Sequence, residues 1–371
     1  MRFLVPYADL AQEAAANKTL LLSACERVVL SGRYILGVEL AAFEKEFAEY
    51  CGTRYAVGTS SGTAALLVTL RSFGWPAGTE VITVANSFVA TTAAIVLSGA
   101  KPVFVDIGVD GNIDPGCIEE AITESTRAIL PVHLTGRPAK MGQIVEIARR
   151  HHLVVIEDAA QAIGACLDGK RVGGLGDAAC FSLNPLKNLH AYGDGGVVTT
   201  NDEALYRLLL LQRNHGLIDR ERCEFFSLNC RLDELQSAMV RAQLPLVDGW
   251  TEARRQAAFR YNELLADFAE VPAEGEGERC VYQTYVIKVD HRDSLQRHLR
   301  ENGVEALVHY ATAIDKQPAA SGLVRSGGAL SRTRNHVGRI LSLPLYPGIT
   351  LSQQNKVGEL VSGFFAKTDF S

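Results

Sequence analysis

Between residues 55 and 200 the chain alternates short apolar, β-branched runs with stretches of helical texture, and this alternation limits the architectures open to it. "EVITVANSF", "KPVFVDI", "RAILPVHL" and "LVVIEDAAQ" read as strands, with "ATTAAIVLSGA" and the amphipathic "MGQIVEIARRHH" as helices between them. "AVGTSSGTAALLVTLRSFG" reads as a short strand, a loop and a helix starting near Thr63, and "DAACFSLN" and "GGVVTT" add two more strands. The pattern predicts an α/β fold with a mainly parallel central sheet wrapped by helices. Ligands of such sheets sit beyond the carboxyl ends of the strands. After Gly249 the texture changes to a long helix, "EARRQAAFRYNELLADF", then a loop, the strand "VYQTYVIKV", the helix "RDSLQRHLREN" and a last helix near "SQQNKVGELVSGFF". We read residues 1–249 as a large domain and 250–371 as a smaller C-terminal α+β domain, with no internal repeat.

Composition excludes several classes of function. The 371 residues are 47% apolar and 21% charged, as in a folded globular protein. The net charge of -5, with no basic cluster, argues against a nucleic-acid partner. No apolar run reaches the ~18 residues of a membrane span. Pro6 and Asp9 interrupt the place where a signal peptide would be apolar. The eight cysteines are scattered without a Cys-x-x-Cys pair, so reduced thiols, a cytoplasmic protein and no metal site are expected.

Four segments stand where strand ends would bring them together. In "TSSGTAALL", Ser61, Gly62 and Thr63 open a helix whose free N–H groups and partial positive charge suit a phosphate, although Ser and Thr are also ordinary helix caps. "ANSFVATT" places Phe88 after a strand, as a core residue or as a flat plate for a ring. "LVVIEDAAQ" carries Asp158 to the end of its strand with Gln161 three residues on, and alone Asp158 is as well read as a cap. "FSLNPLKNLHAYGDGG" holds Ser182 and Lys187 before a glycine-rich stretch, in what reads as a permissive loop. An anion cradle, an aromatic plate, a carboxylate and a lysine, in this order, form the set that pyridoxal 5'-phosphate requires. The carboxylate keeps the pyridine nitrogen protonated and the lysine forms a Schiff base with the aldehyde.

With these motifs, and with "SGRYILGVELAAFEKEFAEYCG", "GAKPVFVDI", "GKRVGGLGDAACFSLNPLKNLHAYGDGGVVTTND", "RNHG" and "SLPLYPG", the chain resembles the DegT/DnrJ/EryC1/StrS family of pyridoxal-phosphate sugar aminotransferases of fold type I, over nearly its whole length. The resemblance implies that Lys187 carries the cofactor and shuttles the proton, and that Asp158 pairs with the pyridine nitrogen. It places Gln161 near the ring hydroxyl and Phe88 on the ring. Gly62, Thr63 and Ser182 would hold the phosphate, with Asn229 reaching it from the partner subunit of a homodimer. It also implies transfer of an amino group from glutamate or glutamine to a keto-sugar, expected to be nucleotide-linked, with pyridoxamine 5'-phosphate formed midway. His309 and Tyr310 align with a segment at the active-site mouth, and His190 stands beside the lysine, so these three are candidate substrate contacts.

Two departures leave the substrate subgroup open. His190 stands where many members have glycine, and Ser61-Gly62 where many have Asn-Gly. An aminotransferase acting on a keto-cyclitol or another cyclic ketone is the nearest rival. A same-fold dehydratase is disfavoured because its lysine position would hold histidine. A nicotinamide oxidoreductase lacks its Gly-x-Gly-x-x-Gly turn here, and a DNA-binding regulator lacks a basic recognition helix.

Overall fold

The computed structural model describes residues 3–367. Among them the central element is an eight-stranded sheet. In chain order its strands are β1 (Tyr55–Thr59), β2 (Glu80–Val84), β3 (Lys101–Val105), β4 (Thr126–Ile129), β5 (Val154–Asp158), β6 (Ala178–Ser182), β7 (Gly196–Thr200) and β8 (Arg325–Ser326). Their spatial order is β1-β7-β6-β5-β4-β2-β3-β8. Only β7 runs against its neighbours, β1 and β6; the other pairings are parallel. The expected mainly parallel α/β fold is observed.

Burial on both faces explains the strand sequences, since a sheet covered by helices on each side needs continuous rather than alternating apolar runs. Every residue of β2 and of β7 is buried. Ala65, Leu66 and Val68 of the helix Gly62–Ser72 pack on Val57, Ile156 and Val198. A separate cluster sets Phe43 and Phe47 of the helix Val38–Cys51 against Phe181 and Val197, with Phe47 and Phe181 edge to face at 5.1 Å.

The strand expected from "RAILPVHL" is shorter than the apolar run. It ends at Ile129, because Pro131 has no N–H to give; the Pro131 carbonyl instead accepts from Asp158 N–H at 2.9 Å. Val132 then makes a lone parallel bridge to Asp158.

The line expected at 249/250 falls inside the helix Val247–Leu265. Its first residue belongs to the cluster of Phe43, whereas Ala257, Tyr261 and Leu265 belong to a second core with Tyr285, Leu299, Leu341 and Val357. That second core is built on an antiparallel pair, Tyr285–Lys288 with Ile340–Leu343. Val5 joins it from the N-terminus, and β8 returns from it to the edge of the large sheet.

Asp158 owes its position to its neighbour Glu157, which is wholly buried on the other face of β5. Glu157 accepts from the N–H groups of Leu175 (2.9 Å), Gly176 (2.8 Å) and Gly173 (3.2 Å), and lies 3.0 Å from His133 Nε2. Because His133 Nδ1 accepts from Ala139 N–H at 2.9 Å, the ring proton is on Nε2 and is donated to Glu157. A buried donor left unpaired costs about 1–3 kcal/mol. We therefore predict that Glu157→Ala destabilises the chain by at least about 3 kcal/mol and lowers Tm by roughly 4 °C or more. Thermal scans of both proteins at one protein concentration test this, and an unchanged Tm would mean that these donors find other partners.

Candidate active site

The loops that follow β1, β2, β5 and β6 meet around a cavity of about 370 Å³, within the ~300–1,000 Å³ of pockets that hold cofactors and small ligands. Nine of the sequence-predicted residues are brought to it: Gly62, Thr63, Phe88, Asp158, Gln161, Ser182, Lys187, His309 and Tyr310.

At the end of β1, Ser61 caps the helix Gly62–Ser72, its Oγ accepting from Ala64 N–H at 3.0 Å. The ordinary capping role is thus filled by Ser61. The first-turn N–H groups of Gly62 and Thr63 have no carbonyl within their own helix to bond. A Cβ on Gly62 would lie 2.8 Å from Ser182 Cβ, so only glycine lets the helix start against the end of β6.

At the end of β2, Phe88 is 51% exposed, although the helix it leads, Val89–Leu97, buries Thr91, Thr92, Ala94 and Ile95. Its ring lies 5.4 Å from that of Tyr310, tilted by 38°. One turn on, Thr91 Oγ1 donates to Asp158 Oδ2 at 2.7 Å, and Ala160 N–H donates to Oδ1 at 3.2 Å. Burial pushes the Asp158 carboxyl above its ordinary value; the Thr91 and Ala160 hydrogen bonds and the charge of Lys187 oppose this. Gln161 Oε1 accepts from Thr135 N–H at 2.6 Å, and its Nε2 donates to the Tyr310 hydroxyl at 3.4 Å.

Lys187 follows β6. Burial pushes its amine down to about 8, with Asp158 pulling it back up. Its backbone is tied rather than loose. Ala191 N–H donates to the Leu183 carbonyl at 2.8 Å, Leu183 N–H to Gly195 at 2.8 Å, and Asn188 Nδ2 to Val281 at 3.0 Å. The glycines answer a need for close approach. A Cβ on Gly196 would lie 2.3 Å from the Ser61 carbonyl oxygen, so β7 passes in backbone contact with the start of the helix. The reach of the amine therefore comes from the side chain, and the loop read as permissive is a closely packed one.

Across the cavity, His309 Nδ1 lies 2.9 Å from Ser342 Oγ. Burial and the charge of Lys187 push its imidazole down to about 4, so it is neutral at pH 7. Burial, then the charge of Asp158, pushes the Tyr310 hydroxyl upward. His190 is placed elsewhere: it is buried, its Nε2 is 3.1 Å from Glu13 of the helix Leu10–Ala16, and it does not line the cavity. Asn229 is exposed and is likewise outside the cavity of its own chain.

Sequence reasoning passed over Thr91, Ser87, Tyr7 and Thr284, all of which line the cavity. Thr91 carries a faint signal, standing one helical turn after Phe88. Tyr7 and Thr284 carry none, because they arrive from the N-terminus and from the second core, where the Tyr7 hydroxyl and Thr284 Oγ1 meet at 3.3 Å.

This arrangement can be set beside known proteins. The model of the DegT/DnrJ/EryC1/StrS aminotransferase family matches residues 16–362. A "pleiotropic regulatory protein" of Geobacillus stearothermophilus is 41% identical, over 97% of this chain and 98% of that one. The dTDP-3-amino-3,4,6-trideoxy-alpha-D-glucose transaminase of Streptomyces venezuelae is 38% identical, over 98% of this chain and 97% of its own. Among solved structures, S. venezuelae DesV in complex with a ketimine intermediate superposes with a TM-score of 0.95 at 38% identity, each chain covered in full. The chain belongs to the DegT/DnrJ/EryC1/StrS aminotransferase family.

Proposed function

We propose that the protein is a pyridoxal-phosphate-dependent aminotransferase that moves the amino group of glutamate or glutamine onto a nucleotide-linked keto-sugar in amino-sugar biosynthesis. The observation that carries this reading is a half-buried lysine, its amine displaced to about 8, facing a buried aspartate across a cavity with an exposed phenyl ring and a helix N-terminus on its walls. The similarity to a dTDP-amino-sugar transaminase supports the class of acceptor.

The residues present fit the cofactor. The Gly62–Ser182 approach, which a Cβ would fill, leaves the helix N–H groups and the hydroxyls of Thr63 and Ser182 to hold a phosphate. Phe88 offers its exposed face to a flat ring, and Gln161 an amide to the ring's polar edge. When bound, the cofactor supplies an electron sink for the carbanion formed at the substrate carbon.

The rest is the work of the chain. Asp158, as a carboxylate, holds a proton on the ring nitrogen. Lys187 Nζ takes a proton from one carbon and returns it to another; an amine with its pKa near 8 can do both near neutral pH, whereas an ordinary lysine, protonated almost throughout, cannot act as a base. Phe88 and Tyr310 exclude water from this face, and His309, neutral, is a hydrogen-bonding contact for a sugar hydroxyl rather than a cation for phosphate. His190 acts through the N-terminal helix, holding Glu13 beside the lysine loop.

The working unit is a homodimer in which Asn229 of a second copy completes the phosphate site. Its exposure outside its own chain's cavity supports this. So does the apolar surface formed by Leu30, Tyr34, Ile35 and Val38, which a second copy would cover. A cytoplasmic location is supported by eight cysteines that form no disulfide, and no helix among the described residues is long and apolar enough to cross a membrane.

Visible absorption tests the whole reading. Protein incubated with pyridoxal phosphate is expected to show a yellow bound-cofactor band that either L-glutamate or L-glutamine bleaches, and that a nucleotide-linked keto-sugar restores. Protein that takes up no cofactor overturns the proposal. Lys187→Ala is expected to lower turnover at least ~10³-fold, and steady-state activity near the wild-type level would remove Lys187 from its role. In cofactor-free protein, reductive methylation of Lys187, followed by peptide mass spectrometry, is expected to rise through a midpoint near pH 8. The amine reacts only above its pKa, so a midpoint near 10.5, the ordinary lysine value, would contradict the burial argument.

A further inference from the structure

Behind Asp158 lies a buried chain of hydroxyls that the proposed roles leave unused. Thr91 Oγ1 is 2.7 Å from Asp158 Oδ2, and Ser87 Oγ is 2.7 Å from Thr91 Oγ1. Thr91 is 1% exposed and Ser87 3%, so water does not compete for these bonds. Both line the cavity, as do Phe88 and Asp158.

The direction of the chain follows from valence. An ionised carboxylate only accepts, so Thr91 must spend its single proton on Asp158. Its oxygen is then an acceptor, and the 2.7 Å contact with Ser87 has Ser87 as donor. Polarisation runs one way, Ser87 to Thr91 to Asp158, and hydrogen bonds in series strengthen one another in a low-dielectric site. With Ala160 N–H on Oδ1, each carboxylate oxygen holds one fixed donor and keeps lone-pair capacity for a further one from the cavity.

The chain is also tied to the plate. Thr91 N–H donates to the Phe88 carbonyl at 3.2 Å, so the single turn Phe88–Thr91 carries both the exposed ring and the hydroxyl that grips Asp158. The distance of the plate from the carboxylate is set within four residues rather than across the sheet.

We propose that Thr91, backed by Ser87, is a positioning residue for this reaction: its hydroxyl holds Asp158 ionised and aimed, and so decides that the shared proton rests on the ring nitrogen of the cofactor. This inference rests on the cofactor assignment made above. Burial alone drives Asp158 toward its neutral form, and a neutral Asp158 would leave the ring nitrogen bare and the ring a poor electron sink. The other titratable groups around Asp158 are Lys187 after β6, His133 after β4, Tyr310 from the C-terminal half and Cys180 on β6. Of these the Lys187 amine, whose charge opposes the burial of Asp158, is committed to the cofactor in the holoenzyme. The grip of Thr91, with the Ala160 N–H on the other oxygen, stays constant.

The test uses the holoenzyme with pyridoxal phosphate labelled at the ring nitrogen with ¹⁵N. Thr91→Val keeps the shape of the side chain and removes the hydroxyl, and Thr91→Ser restores the hydroxyl alone. In wild type and Thr91→Ser the ¹⁵N resonance is expected in the protonated range at pH 8. In Thr91→Val the equilibrium between ring nitrogen and Asp158 should shift ~10–100-fold toward Asp158, the equivalent of ~1.5–3 kcal/mol for a hydrogen bond to a charged group. The resonance would then move measurably toward the unprotonated range, and kcat would fall with KM little changed. A merely structural role would lower the Tm of Thr91→Val and leave the ¹⁵N position alone, and that result overturns the inference. Should Thr91→Val not fold, Ser87→Ala carries the same test, with a smaller shift in the same direction expected and an unmoved resonance again overturning it. Wild-type protein that binds no labelled cofactor overturns the cofactor assignment, and this inference with it.

Discussion

The start of the helix Gly62–Ser72, the end of β6 and the start of β7 touch backbone to backbone, and the site exists only because they do. A side chain at Gly62 would strike Ser182, and one at Gly196 would strike the Ser61 carbonyl. Either collision would move the helix N-terminus away from the segment that leads to Lys187. The contact also explains why β7 runs antiparallel: the chain leaves β6, makes the lysine loop and turns straight back, so β7 begins at the same edge where β6 ended. The lysine loop is in this sense one end of a hairpin pressed against a helix, and its backbone bonds to Gly195 and Leu183 follow from that geometry.

Burial then does the chemical work. Lys187 and Asp158 are each driven toward the neutral form by loss of water, and each is partly restored by the other's charge. A largely desolvated pair of this kind contributes little to stability, because desolvation cancels much of the Coulomb attraction. It has a different use: an amine near neutrality is a base and an acid at the same pH. The same field reaches His309, whose imidazole is held neutral by burial and by Lys187 together. One region of low dielectric therefore fixes the protonation of three side chains drawn from three distant parts of the chain.

Those facts divide what could be read in the sequence from what could not. The sheet was legible because strands buried on both faces must be written as apolar runs, and β2, β3, β5, β6 and β7 were so written. Lys187, Asp158, Phe88 and Gly62 were legible because each stands just past such a run, where topology requires a parallel sheet to carry its ligands. β8 was not, since two residues hydrogen-bonded to the edge of β3 need no pattern of their own. The reason for the glycines around Gly196 was hidden as well, because close approach depends on which backbone lies opposite. The same holds for His190: its neighbours in sequence point to the cavity, while its partner, Glu13, comes from 177 positions away. Local spacing specifies what a residue can do, and only the packing specifies to whom.

Charge carries the argument about the working unit further than exposure does. The charged side chains lining the cavity among the described residues are Asp158, Lys187 and Asp194, which sum to one negative charge when all are ionised. The helix N-terminus at Gly62 adds the equivalent of roughly half a positive charge. Into this the reaction must bring a phosphate carrying about -1.5 to -2 and an amino-acid donor with at least one carboxylate. Lys187 cannot balance them, since its amine is used in the chemistry, and His309 is neutral. A site that binds successive anions while itself slightly negative is short of positive charge, and no arginine among the described residues lines the cavity. In the homodimer proposed above, the missing positive potential and polar donors would arrive from outside the single-chain cavity. Asn229, exposed on the same molecule and unused in its own cavity, belongs to a segment, "SLNCRLDE", that also carries Arg231. In the proposed homodimer this segment is the candidate to supply them. Electrostatics thus favours a shared active site for the same reason that burial favours a reactive lysine: a catalytic cavity is built from what its own chain leaves unbalanced.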